Sequence, residues 1–167
     1  VQAGASTADG AIQDLDFYAN TITIDAGDSV RWRVASAEPH TVTFLSAGQL
    51  PPSPNTALAD RPAGNTNYDG VEFLNSGLLR GGQTFTARFA KPGVYIYRCL
   101  LHPPQMTGTI VVQQSGSVYP HTQNDYVHAG AIDEWLDLGA GQRSIASFPF
   151  PVHGTMLAAG IAPGLAD

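Results

Sequence analysis

The chain has 167 residues, of which 43% are hydrophobic and 13% charged, with a formal net charge of -6. That hydrophobic fraction is sufficient for a folded core and excludes a disordered polypeptide. The single lysine and seven scattered arginines form no basic patch, and no apolar run approaches about 20 residues, so we expect neither a nucleic-acid partner nor a membrane span.

The first 113 residues contain short segments typical of β-strands. In residues 29–34, for example, apolar side chains alternate with polar ones, which is the period of a half-buried strand. The other segments with such alternation or with a β-branched run are residues 21–24, 40–44, 84–89, 94–99 and 108–112. Several short strands separated by turns predict an all-β sandwich or barrel.

Two regions depart from this pattern. Residues 46–79 are rich in Pro, Asn, Gly and Asp, and predict a surface loop with one short strand at residues 71–74. Residues 114–167 predict a helical and irregular C-terminal extension, with Thr122 capping a helix over about 123–138. Asp125 is at the third position of this helix, and Gly139 is expected to end it. Its apolar side chains are expected to share one face, which consists of Tyr126, Ala129, Ile132 and Leu136, with Trp135 beside them.

Side chains that can bind a metal are concentrated between two predicted strands. A thiol, an imidazole and a thioether fall within eight residues, at Cys99, His102 and Met106, where a tight loop can turn all three toward one point. Two histidines and one cysteine in a trigonal plane, with a weak axial methionine, define a blue-copper site. The second imidazole is His40, because strand alternation places both His40 and Cys99 toward the interior.

Residues 11–113 resemble a cupredoxin of the plastocyanin type. The motifs that carry the resemblance are Pro39-His40-Thr41-Val42, Ser76-Gly77, Pro92-Gly93-Val94-Tyr95-Ile96-Tyr97-Arg98-Cys99 and Gly108-Thr109-Ile110-Val111-Val112. The resemblance implies a Greek-key β-sandwich over residues 1–113. It also implies one type 1 copper per chain, with His40, Cys99, His102 and Met106 as its ligands.

Three departures from the plastocyanin pattern concern the surroundings of this site. Three residues separate His102 from Met106, one fewer than in plastocyanins and one more than in amicyanins. The shape of the ligand loop and the reduction potential are therefore expected to differ from those of both groups. Thr41 replaces an asparagine that ties the ligand loops together, and its hydroxyl is expected to take over that bond. Arg98 replaces the tyrosine that plastocyanins carry just before the ligand cysteine. Docking of partners at an acidic side face, as in plastocyanins, is therefore not supported for this chain.

Five further side chains in the sequence are of types that can bind copper. Gln105 adjoins Met106, and glutamine also occurs as an axial ligand. His121, His128 and His153 fall outside the strand region and are expected to be exposed, whereas Met156 is expected to pack within the apolar tail.

The predicted function is transfer of single electrons between redox partner proteins, without enzymatic activity. The docking face is expected around His102, within the apolar run Leu100-Leu101-His102-Pro103-Pro104. The alternative is an electron-entry domain of a larger copper enzyme, resembling nitrite reductase or a multicopper oxidase. The chain lacks the His-x-His pairs of a trinuclear site and the second cysteine of a binuclear one. Storage or delivery of copper is disfavoured, because that role usually needs a surface rich in methionine or histidine, and the chain has only two methionines and five histidines.

The two ends of the chain bear on the location of the protein and on the nature of the apolar tail. It begins at Val1 and shows no signal peptide, so we expect a mature form located in the periplasm or outside the cell. Residues 157–161 resemble residues 1–5, which would make residues 155–167 the first strand of a second domain behind a helical linker. The other interpretation is that this tail packs on the first sandwich. Self-association through the extension is also expected, because an apolar strand needs a cover.

Overall fold

A computed structural model describes residues 1–102, 104 and 106–147. Within them the chain forms eleven strands and two helices. In chain order these are β1 Gln2–Ser6, β2 Gln13–Tyr18, β3 Thr21–Asp25, β4 Ser29–Val34, β5 Thr43–Phe44, α1 Ala57–Asp60, β6 Pro62–Ala63, β7 Asn67–Tyr68, β8 Leu74–Ser76, β9 Thr84–Phe89, β10 Gly93–Arg98, β11 Thr107–Gln113 and α2 Gln123–Ala146. Gln105, His153, Met156 and the predicted apolar tail lie outside the described residues.

The strands form two sheets that enclose one core. The first sheet has the order β2-β1-β4-β9-β7 and the second β3-β11-β10-β5-β8-β6. Most pairs are antiparallel, while β1 and β4, β3 and β11, and β7 and β9 pair in parallel. The chain changes sheets at every step from β2 to β5 and again at every step from β6 to β10. The predicted all-β Greek-key sandwich with a C-terminal helical extension is confirmed.

The core is aromatic and centred on Trp32, which is fully buried. The ring of Trp32 meets those of Phe44 and Tyr97 edge to face, with centroids 6.0 and 5.2 Å apart. In β4 the residues Val30, Trp32 and Val34 are buried while the residues between them are exposed. This is the alternation that the sequence predicts for a strand with one face on the core.

Three expectations about the strands are wrong in detail. Residues 46–79 are more than a loop with one short strand, since α1, β6, β7 and β8 all lie there. The strand expected at residues 71–74 lies at Leu74–Ser76 instead, because the Asp69 side chain accepts a hydrogen bond from the Val71 backbone N–H and holds a turn there. Of the segment 40–44 only the last two residues are a strand. Both of its faces are buried, including Thr41 and Thr43, because β8 and its hydrogen-bonding side chains cover the polar face.

Helix α2 begins as predicted and ends later. Thr122 and Asp125 form a capping box, but the helix continues past Gly139 to Ala146. The added turns remain close to the sandwich, because a side-chain carbon at Gly141 would lie 2.8 Å from Ile12, the residue before β2. Neither described helix has the length and apolar composition needed to cross a membrane.

The apolar residues that share one face of α2 meet the sandwich only in part, since Tyr126 packs against the core while most of the others are exposed. The buried residue is Gly130, whereas Ile132, Trp135 and Leu136 are exposed, Trp135 to 72%. Gly130 lets the helix approach the end of β2 so closely that a side-chain carbon there would lie 3.1 Å from the Ala19 backbone nitrogen. Backbone approach, rather than apolar periodicity, therefore decides the orientation of this helix.

Candidate metal centre

Three of the four predicted ligands come together at one end of the sandwich. His40 precedes β5 and is held by two backbone hydrogen bonds with Leu79, of 2.9 and 2.8 Å. Cys99 directly follows β10, and His102 lies in the loop between β10 and β11. The Sγ of Cys99 is 3.9 Å from Nδ1 of His40 and 3.5 Å from Nδ1 of His102. All three ligand atoms lie within 4.8 Å of one another.

These separations suit a metal bound in a plane between the three side chains. Ligand atoms about 2 Å from a common metal, at angles near 120°, lie about 3.5 Å apart. The sulfur and imidazole donors of Cys99, His40 and His102 match that spacing. Within the part of the chain that the structure describes, no other group of three or more His, Cys, Asp or Glu side chains could hold a metal.

Met106 closes the loop that carries Cys99 and His102. Its backbone nitrogen donates to the carbonyl of His102 over 3.3 Å, and its carbonyl accepts from the nitrogen of Cys99 over 3.0 Å. Its side chain is fully buried. The loop is therefore pinned at both ends, with the methionine on the interior side.

Thr41 ties the two ligand-bearing segments together, as the sequence predicts. Its hydroxyl oxygen accepts a 2.8 Å hydrogen bond from the backbone nitrogen of Leu100, and its own nitrogen donates to Sγ of Cys99 over 3.4 Å. The hydroxyl also lies 3.1 Å from that of Thr43, which donates to Asn75. Asn75 was not predicted, because no local pattern relates it to the ligands.

Burial keeps both imidazoles neutral at ordinary pH. The pKa of His40 is lowered to about 4, mainly by burial and further by the neighbouring His102. Burial also lowers the pKa of His102, although the charge of Glu38 acts in the opposite direction. A neutral imidazole offers a lone pair, which a metal ligand requires.

The surroundings of His102 differ from the predicted apolar rim in one respect. His102 and Leu101 are half-buried and Pro104 is exposed, but Leu100 is 1% exposed and belongs to the interior. Its backbone bond to Thr41 holds it there. His121 and His128 are exposed, as expected.

Comparison with known proteins decides the family. Residues 5–113 match the family of copper binding proteins described as plastocyanin/azurin. The chain belongs to this family. It is 30% identical to amicyanin-alpha of Methylorubrum extorquens over 67% of this chain and 76% of that protein. It is 33% identical to the chloroplastic plastocyanin of Tetradesmus obliquus over 59% of each. A solved structure of a reduced amicyanin variant aligns with 66% of this chain and 92% of its own, at 23% identity and a TM-score of 0.45.

The cofactor follows from the family together with the side-chain cluster. A buried thiol between two neutral imidazoles, in a cluster that includes no carboxylate, is a soft donor set of the kind that selects copper over harder cations. Copper is therefore the cofactor of this cupredoxin, in a site of type 1.

Proposed function

We propose that this cupredoxin carries single electrons between redox partner proteins, with copper bound by His40, Cys99, His102 and Met106. The observation that supports this most is the spacing of the Cys99 thiol from the two imidazole nitrogens, 3.5 and 3.9 Å. Bound copper would cycle between Cu(I) and Cu(II). The sandwich would hold the ligands in one geometry for both states, which keeps reorganisation small.

The chain's own residues would supply this rigidity. The Leu79 backbone fixes His40, and Thr41 links the His40 segment to the loop after Cys99. The two backbone bonds of Met106 fix the end of that loop. Each ligand is therefore positioned by groups that do not themselves bind metal, and such groups orient a metal site before the metal arrives.

Copper titration followed by visible absorption would test this function. We expect one copper per chain and an intense visible band from thiolate-to-Cu(II) charge transfer. Cys99→Ser should abolish the band, because an alcohol cannot replace the thiolate. His40→Ala should weaken binding, whereas His128→Ala, at an exposed histidine, should change nothing. A Cys99→Ser protein that stays blue would contradict the proposed ligand set.

The axial position can be tested separately. A long methionine bond contributes little to binding but biases the oxidation state. Met106→Leu should therefore retain copper and colour while raising the reduction potential. Loss of copper, or an unchanged potential, would count against Met106 as the ligand.

We also propose that partners dock around His102 and that electrons pass through its outer edge. His102 is the least buried residue of the cluster, and it lies beside half-buried Leu101 and exposed Pro104. A small apolar surface of this kind suits a brief complex. A periplasmic or extracellular location and the absence of enzymatic activity are part of this proposal.

The division of the chain is proposed as a copper domain over residues 1–113 and an extension over 114–167. The family match ends at residue 113, and α2 then packs on β1 and β2. We further propose that the extension mediates self-association, because α2 exposes Ile132, Trp135 and Leu136. Deleting residues 115–167 should leave the blue site intact and change the association state, as measured by sedimentation. Loss of the site would contradict this division.

A further inference from the structure

The side of His40 that faces away from Cys99 is held by a serine hydroxyl. Nε2 of His40 lies 2.7 Å from Oγ of Ser36, and that hydroxyl is 3.1 Å from the carbonyl oxygen of Glu38, to which it donates. A serine hydroxyl has one hydrogen. The Glu38 carbonyl can only accept, so both contacts are satisfied when Ser36 donates to that carbonyl and accepts from an N–H at Nε2 of His40.

This arrangement selects one tautomer of His40. With the proton on Nε2, the lone pair is left on Nδ1, which is the nitrogen that faces Sγ of Cys99. Both His40 and Ser36 are buried, at 0% and 3% exposure, so water does not compete for the bond. The ring is therefore preset, in orientation and in protonation, for a metal between Nδ1 and the thiol.

A glycine of β1 makes room for this hydrogen bond. A side-chain carbon at Gly4 would overlap Nε2 of His40 and would lie 2.5 Å from Oγ of Ser36. Gly4 has φ of +67° and is located where the pairing of β1 with β2 shifts register, between Ala3 and Ala5. The irregularity in β1 thus brings bare backbone against the imidazole.

Gly4 also lies just outside the segment that matches the family, which begins at residue 5. Its strand is fixed independently of the metal site, because β1 pairs in parallel with β4 and the Ala35 nitrogen donates to the Ala3 carbonyl over 3.1 Å. Ser36 follows directly after this contact. The pairing of β1 with β4 therefore positions both the Ser36 hydroxyl and Gly4.

We propose that Ser36 and Gly4 are positioning residues of the copper site, which fix His40 as the ligand that binds through Nδ1. The inference rests on the proposed function for its consequence, but not for its geometry. Groups that orient a metal-ligating histidine typically change metal affinity by about 10- to 100-fold when they are removed. A comparable effect is expected here, although neither residue touches the metal.

The sharpest test compares Gly4→Ala with Gly10→Ala. Both glycines have nearly the same left-handed backbone, φ +67° and +68°, but no atom lies within 4 Å of a side-chain carbon at Gly10. Backbone strain should therefore be similar, and only Gly4→Ala should push on the imidazole. We expect Gly4→Ala to bind Cu(II) at least about tenfold more weakly and to shift its visible band. Gly10→Ala should match the unaltered protein. Equal effects of the two variants would overturn the proposal.

A second measurement needs no metal. In the metal-free protein at neutral pH, nitrogen-15 NMR of the histidine rings should show His40 protonated at Nε2, with slow exchange of that proton. Ser36→Ala should speed the exchange and mix the tautomers, whereas Ser29→Ala, at an exposed serine of β4, should not. A proton found on Nδ1 of His40 would overturn the inference even if copper binds. Failure of the unaltered protein to bind copper would instead contradict the proposed function.

Discussion

The β-sandwich and helix α2 bury opposite kinds of side chain. The sandwich encloses Trp32 and Tyr97 completely, while α2 places Gly130 against β2 and leaves Trp135 72% exposed. The sandwich is stabilised by the fit of large rings, so its geometry is rigid and can hold a metal site. The helix is held by close backbone approach at Gly130 and by a hydrogen bond from the Thr23 nitrogen to the Tyr126 hydroxyl, so we expect that it can be altered without disturbing that site.

Histidine titration should reveal the largest difference between the two regions. His40 in the sandwich has its pKa lowered from an ordinary 6.5 to about 4, whereas His128 on α2 is exposed. Between these pH values the unfolded chain binds a proton that the folded chain does not. The stability of the metal-free protein should therefore fall as pH drops from 6.5 to 4, by about 3 kcal/mol.

Urea unfolding of the metal-free protein at pH 7 and pH 4 would measure this loss. His40→Gln should remove most of it, because the variant side chain does not titrate. His128→Gln is the control at an exposed histidine and should retain the loss. An identical loss in His40→Gln and the unaltered protein would assign the effect to other groups, such as Asp69 and Asp125, whose pKa values are lowered mainly by hydrogen bonds.

Crowding in the core should give the next largest effect. Gly108 of β11 pairs directly with Tyr97 of β10, and a side-chain carbon there would overlap the phenol ring. Because that ring is fully buried and cannot move aside, Gly108→Ala should lower the free energy of unfolding by about 1–3 kcal/mol. Gly93→Ala is the matched control in the same strand pair, facing the partly exposed ring of Tyr95 at 3.2 Å. Chemical denaturation would show whether Gly93→Ala is the milder change.

A smaller effect on global stability is expected from the helix interface. Gly130→Leu cannot fit against Tyr18 and Ala19, so α2 should detach and the Tyr126 hydroxyl should lose its bond from the Thr23 nitrogen. Hydrogen exchange in α2 should accelerate while the copper band stays unchanged. The control Gly139→Ala lies within the helix, near the flexible Arg143 side chain, and should stabilise it by up to about 1 kcal/mol. Bleaching of the copper site by Gly130→Leu would show that the two regions are coupled.

The smallest effect should come from the exposed tryptophan. Trp135→Gln should change the free energy of unfolding by less than about 0.5 kcal/mol, because the side chain contributes little to the core. Fluorescence quenching by iodide should nearly disappear in this variant, since the remaining Trp32 is fully buried. Persistent quenching would mean that Trp32 is accessible in solution.

Some features followed from the sequence because their cause is local or strictly periodic. Alternation in 29–34 and 84–89 predicted which side chains of β4 and β9 face the core, and Thr122 with Asp125 predicted the start of α2. The grouping of His40, Cys99 and His102 was also predicted, since a cysteine and a histidine on one short loop need only one more imidazole on an inward-facing position.

Other features were decided only by tertiary contacts. The orientation of α2 depends on how closely Gly130 can approach β2, and the burial of Thr41 depends on β8, which is more than 30 residues away. Gly4 and Ser36 are likewise brought to His40 by the pairing of β1 with β4. A sequence shows which side chains are apolar or able to bind a metal. It does not show which backbone will come close enough to exclude a methyl group or to fix a tautomer, because those contacts form between segments that are distant along the chain.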